Sequence, residues 1–157
     1  MKQTRAPKLL GDFGEGLVTY ALIRKGYEVA YVDHVGADLI AEKNGNRLAI
    51  SVKTRLFKTG SKESQVFVVE KHHIAKLENF AAQFGMVPVF ALLVSLADEH
   101  MIHLVIMPVA ELKNNLPEVE HGYSIRFTPK KRSELMAKPF VDYSYWKEEK
   151  IGDKDFF

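Results

Sequence analysis

The sequence predicts a single α/β domain, a mixed sheet flanked by helices, and three observations carry that prediction. A helical stripe opens the chain at residues 9–25. Alternating segments split by an Asn-Gly turn follow at 27–54. A second helical stripe at 72–84 then leads into the nearly continuous apolar run Val87–Leu96. The length of 157 residues suits one domain, at roughly 100–200 residues per domain. An apolar share of 46% and a charged share of 27% exclude collagen-like, coiled-coil and wholly disordered chains.

Each element follows from local pattern. Residues 9–25 form a helix closed by Gly26, with Phe13, Leu17, Tyr20, Ala21 and Ile23 as its expected face. Tyr27–Val32 and Ala37–Glu42 read as strands. Asn44-Gly45 is a two-residue hairpin signal. In Arg47–Thr54, Leu48, Ile50 and Val52 point to one face, and Ala49, Ser51 and Lys53 to the other. A polar loop at 56–64 precedes the short strand Gln65–Val69. The helix at 72–84 places Ile74, Leu77, Phe80, Ala81 and Phe84 on one stripe and stops at Gly85. Val87–Leu96 suits a strand buried on both faces. Asp98-Glu99 turns the chain into strand Met101–Met107, Pro108 opens a short helix through Leu112, and Tyr123–Thr128 is a further strand. Residues 129–157 are basic (Lys130, Lys131, Arg132) and aromatic, and are expected to form an extension packed on the body of residues 1–128.

Composition removes several chemistries. The chain has no cysteine, which excludes disulfides, thiolate zinc sites and cysteine nucleophiles. Its longest apolar run, Met86–Val94, falls short of the roughly 18 residues of a membrane span. The first ten residues lack the apolar core of a secretion signal, so a soluble cytoplasmic protein is expected. Net charge is only +2, yet Lys53, Arg55, Lys58 and Lys62 form a local run free of acid. Such a run suits a polyanion or a solvated loop.

Glu15 on the first helix, Asp38 at the start of the second strand, and Lys53 and Ser51 on one face of the third make a candidate site. The tight hairpin makes the second and third strands neighbours. Carboxylate oxygens hold Mg²⁺, a bound metal activates water and neutralises phosphate charge, and an ammonium stabilises the transition state. Structural roles compete. Asp12-x-x-Glu15 is also a capping-box pattern, Asp38 also suits a turn, and Gly11, Gly14 and Gly16 suggest that another backbone approaches the helix closely. Lys53, on an apolar strand, needs a partner.

The motifs Gly11-Asp12-Phe13-Gly14-Glu15, Gly26-Tyr27-Glu28-Val29, Gly36-Ala37-Asp38-Leu39-Ile40-Ala41 and Ile50-Ser51-Val52-Lys53-Thr54-Arg55 resemble the PD-(D/E)xK nuclease superfamily. Residues 67–94 are similar to archaeal-type Holliday-junction resolvases, and the resemblance covers about residues 9–107. It implies a restriction-endonuclease-like α-β-β-β-α-β core, a homodimer, and hydrolysis of double-stranded or branched DNA. By the same resemblance Glu15 and Asp38 hold Mg²⁺ or Mn²⁺ and Lys53 is the catalytic lysine, while Gly14, Arg55, Lys58 and Lys62 are expected at the nucleic acid. Ser51 departs from the pattern, standing where the family has Glu, less often Asp or Gln. One direct metal ligand is thereby missing. This leaves two alternatives to an active endonuclease: a nuclease-fold module that binds nucleic acid without cutting it, or a subunit of a restriction or mobile-element system.

Other acids are weaker replacements. Glu42 shares the face of Asp38 but lies about 13 Å along the strand. Asp12 is one turn before Glu15, and Glu70 precedes the second helix. His34 is a candidate substrate contact. The adjacent His72 and His73 are expected to diverge on their helix, His100 and His103 to sit on opposite faces of a strand, and none to have zinc-ligand companions.

Overall fold

The computed structural model describes residues 5–57 and 65–149, so Lys58 and Lys62 lie outside the described residues. Helix α1 (Ala6–Arg24) starts with Pro7 in its first turn, where a missing N–H costs nothing. Its buried positions are Gly14, Val18, Ala21 and Leu22. That corrects the expected face: Phe13, Tyr20 and Ile23 are exposed. Small side chains, not aromatic ones, let the helix lie against the sheet.

Strands β1 (Glu28–Tyr31), β2 (Leu39–Lys43) and β3 (Asn46–Phe57) form an antiparallel meander. Asn44 and Gly45 both have positive φ (51° and 79°) and join β2 to β3 in register Lys43↔Asn46, as the Asn-Gly pair predicts. The chain then leaves the sheet through β4 (Val66–Glu70) and α2 (Lys71–Phe84). It returns as β5 (Val87–Leu96), parallel to β3. A short 3-10 turn, Ala97–Glu99, leads into β6 (Met101–Pro108), antiparallel to β5. Helix α3 (Val109–Asn115), β7 (Glu118–Val119), β8 (Gly122–Arg126), α4 (Pro129–Met136) and β9 (Asp142–Lys147) complete the described chain. The main sheet runs β1-β2-β3-β5-β6-β9, and a small sheet runs β4-β8-β7.

Two cores sandwich the main sheet. Val18, Ala21 and Leu22 of α1 meet Leu39, Ile50, Val52, Ala91, Leu93 and Leu104 on one face. On the other, Ile74, Leu77, Phe80 and Ala81 of α2 meet Ala49, Phe90, Leu92 and Val105, with Leu112 of α3, Leu135 of α4 and Phe127 filling in behind. Phe84, expected on the α2 stripe, is exposed. β5 is central and buried on both faces, as its unbroken apolar sequence requires.

The aromatic residues of β9 pair with β6 as the sixth strand of the main sheet. Of the basic run on α4, Arg132 is turned inward and Lys131 pairs at the surface. Arg132 donates to both carboxylate oxygens of Glu99 at 3.0 and 2.8 Å and to the Phe127 carbonyl, and Lys131 pairs with Glu134.

Candidate active site

The site forms where β3 outruns β2. Residues 46–50 of β3 pair with β2, whereas Ser51 to Phe57 pair in the main sheet with β5 alone. Asp38 immediately precedes β2, in a bend where the pairing with β3 has ended at Leu39↔Ile50. Its N–H donates to the Ile50 carbonyl at 2.9 Å, and its Oδ2 accepts from the Val52 N–H at 2.7 Å. The carboxylate thus takes the ladder position that a continuing strand would fill. One oxygen is anchored on the backbone while the rest of the group remains at the open edge of β3.

The loop before Asp38 is braced against α2. A side chain at Gly36 would come within 2.7 Å of the Lys76 carbonyl oxygen and of the Phe80 Cβ, so only glycine permits this approach. His34 accepts the Gly36 N–H at Nδ1 and lays its ring 4.8 Å from that of Phe80. The imidazole expected at the substrate therefore braces the loop that carries Asp38.

Alternation along β3 splits its side chains. Ile50 and Val52 enter the core beneath α1, so Ser51 and Lys53 lie on the α2 face. Thr54 lies on the α1 face, where its Oγ1 occupies the space a side chain at Gly14 would need. That contact seats α1 on β3 one residue before Glu15. The approach expected from three glycines is made at Gly14 alone, against a side chain; Cβ atoms at Gly11 and Gly16 would meet nothing. The capping-box reading also falls, because α1 begins at Ala6, six residues before Asp12. Asp12 instead pairs with Lys8 at 3.1 Å.

Electrostatics tie these elements together. Burial pushes the Glu15 carboxyl above its ordinary range, the charges of Asp38 and Asp12 push the same way, and Lys8 and Lys53 oppose them. The charges of Asp38 and Lys53 thus both reach Glu15. Ser51 is buried and brings no charge. Arg55 holds its guanidinium 5.4 Å from the Phe57 ring centre, at the start of the segment that runs on to Lys58 and Lys62.

The donor set suits a hard cation. Mg²⁺ binds through one or two carboxylates and completes its shell with water and substrate phosphate. Two carboxylates whose repulsion a cation relieves meet that requirement without a third ligand from Ser51.

Sequence reasoning missed one cluster beside this site. The ring centres of His72 and His73 lie 4.0 Å apart instead of diverging, and His72 Nδ1 lies 3.0 Å from Glu70 Oε2. One ligand atom from each of Glu70, His72 and His73 falls within 4.8 Å of the others. Helical spacing alone hid this, because the third member lies on β4, one residue before the helix begins. His73 is pushed below the ordinary imidazole range by burial first and by the Lys53 charge second, which puts the cluster next to the catalytic candidate.

No family model and no curated protein matches the chain. Among solved structures it is similar to a Holliday junction resolvase from the archaeal hyperthermophile Archaeoglobus fulgidus. The TM-score is 0.55 and the identity 21%, over 74% of this chain and 83% of that one. It is also similar to a bacterial homing endonuclease, with a TM-score of 0.52 and 14% identity over 78% of each chain. At these identities the likeness is one of architecture: the chain has the restriction-endonuclease-like fold.

Proposed function

We propose that the protein is a DNA endonuclease that hydrolyses phosphodiester bonds with Mg²⁺ or Mn²⁺ held by Glu15 and Asp38. The observation that supports this reading is that the charges of Asp38 and Lys53 both act on Glu15, with Asp38 bonded to the β3 backbone at Val52, in a nuclease-type fold. A bound Mg²⁺ or Mn²⁺ would supply charge neutralisation at the phosphate and a more acidic water. Asp38 is pre-oriented by the Val52 N–H and so has less side-chain freedom to lose on binding. Lys53 offers its ammonium to the negative charge that grows on the phosphate. Arg55, Lys58 and Lys62 follow the backbone of double-stranded or branched DNA without reading bases. A homodimer, which would set two sites on two strands, fits the exposed apolar stripe Leu9, Phe13, Tyr20 and Ile23 on α1. No helix among the described residues is long and apolar enough to cross a membrane, and a cytoplasmic setting is proposed with this reading.

Ser51 favours one second reading, a module that binds DNA but does not cut it. A single experiment separates the two. Supercoiled, linear and four-way-junction DNA are incubated with the protein, with Mg²⁺, with Mn²⁺ and with chelator. Cleavage that requires metal and is lost in Lys53→Ala supports the endonuclease. Retarded migration without cleavage under every condition supports the binding module. Neither binding nor cleavage overturns both.

A further inference from the structure

We propose that Glu70, His72 and His73 form a second metal site, distinct from the Glu15–Asp38 pair, that takes a borderline transition-metal dication such as Zn²⁺ and holds it beside Lys53. Two imidazoles and one carboxylate form the donor set that such ions prefer, whereas Mg²⁺ seeks oxygen alone. The ligand atoms already lie within 4.8 Å of one another. An ion about 2.0–2.2 Å from each donor needs donor separations of roughly 3–3.5 Å, so the donors draw together on binding.

The cluster is built by the β4–α2 junction. Glu70 is the extended residue before α2, and its carboxylate does not cap the helix. It turns instead to His72 at 3.0 Å. A carboxylate here also offsets the positive end of the helix dipole, which would otherwise oppose a cation. His73 is partly buried, whereas Glu70 and His72 are exposed and open to an entering ion. Three protein ligands leave a coordination position open. With Lys53 alongside, that position suits an oxygen of a phosphodiester. The ion's role in hydrolysis, though not its binding, rests on the nuclease reading.

Calorimetric titration with Zn²⁺, in the absence of DNA, tests the site. Wild type, Glu70→Gln, His72→Ala, the double variant His72→Ala/His73→Ala and Asp38→Asn are compared, each checked by circular dichroism. The expected result, read in excess Mg²⁺ so that the Glu15–Asp38 pair is occupied, is a single Zn²⁺ per chain that the Mg²⁺ does not displace. Affinity should fall about tenfold or more in His72→Ala and in the double variant and stay unchanged in Asp38→Asn. His72 and Glu70 are exposed, so the single variants retain the fold even if the double variant does not. Wild-type affinity in His72→Ala and Glu70→Gln, or loss of binding in Asp38→Asn, overturns the proposal. Because Zn²⁺ binding is read without DNA, failure of this site and failure of the endonuclease reading are separate results.

Discussion

Asp38 and Val52 are joined by a hydrogen bond in which the Val52 N–H donates to the Asp38 carboxylate at 2.7 Å. The side chain of one strand thereby completes the backbone ladder of the next, at the point where the backbone of β2 has turned away. Fold and site share this one bond: it closes the exposed edge of β3 and fixes the orientation of the acid.

Two substitutions separate those roles. Asp38→Asn keeps an oxygen for the Val52 N–H, so stability should change by no more than about 1 kcal/mol, whereas Asp38→Ala leaves a donor unpaired and should cost about 1–3 kcal/mol. Both should weaken Mn²⁺ binding, and any cleavage should fall about 10²–10³-fold. Urea unfolding and calorimetric Mn²⁺ titration give the two quantities independently. Isotherms equal to wild type in both variants would remove Asp38 from the metal.

Gly14 sets how closely α1 lies on β3. A methyl there displaces the Thr54 hydroxyl, which occupies the same space and has no hydrogen-bond partner among the described residues. Gly14→Ala gains about 1 kcal/mol of helix propensity but overpacks the contact, typically at about 1–3 kcal/mol. The net change should be destabilising. Thr54→Ala removes the obstructing oxygen, so the double variant should be more stable than Gly14→Ala alone. Denaturant unfolding of all four proteins measures the coupling; strict additivity would show that the two residues do not compete for space.

The sequence made the sheet legible wherever one rule decided the outcome. Asn44-Gly45 admits little but a tight hairpin, and the apolar run 87–96 had to be central. The shared face of Ser51 and Lys53 followed from the alternation of β3. The face of α1 was harder, because hydrophobicity pointed to Phe13 and Tyr20 while the sheet demanded small residues at Gly14 and Ala21. The order beyond residue 129 was hidden for another reason. β9 has mixed exposure and is fixed by long-range pairing with β6, which no local pattern encodes. The His72–His73 approach failed in the same way, since it depends on Glu70 across an element boundary.

His103 is buried in β6, with its Nδ1 2.9 Å from the Tyr143 hydroxyl and no described partner at Nε2. Burial, and then the nearby Arg132 charge, push its pKa down to about 4, although Glu99 pulls the other way. In the unfolded chain the group titrates near 6.5. Above that pH both states are neutral. As pH falls from about 6.5 to about 4, the unfolded state takes up the proton first and stability drops, by up to about 3 kcal/mol. His103→Phe should flatten stability over this window. Urea midpoints at a series of pH values would reveal the loss of slope; an unchanged slope would assign the acid sensitivity to other groups.

Ser51 is where a carboxylate would complete the site, and the position allows a direct test. It lies between Ile50 and Val52, the two residues whose backbone Asp38 bonds, and shares a face with Lys53, in buried surroundings. Ser51→Glu places a third acid near two that already repel, so without metal the variant should be less stable than wild type. With Mn²⁺ the order should narrow or reverse, because a bound cation neutralises all three. Metal stabilises by an amount set by the ratio of its concentration to its Kd, so each tenfold gain in affinity adds about 1.4 kcal/mol. In a chain of this size that is about 3–6 °C in Tm. Thermal melts of wild type and Ser51→Glu, with chelator and with saturating Mn²⁺, compare the two metal-induced shifts. A larger shift in the variant, with faster cleavage of junction DNA, would identify the missing carboxylate as the limit on catalysis. A folded variant with the wild-type shift would mean that the ion does not sit where Ser51 faces, and that Glu15 and Asp38 hold it from the other side of the strand.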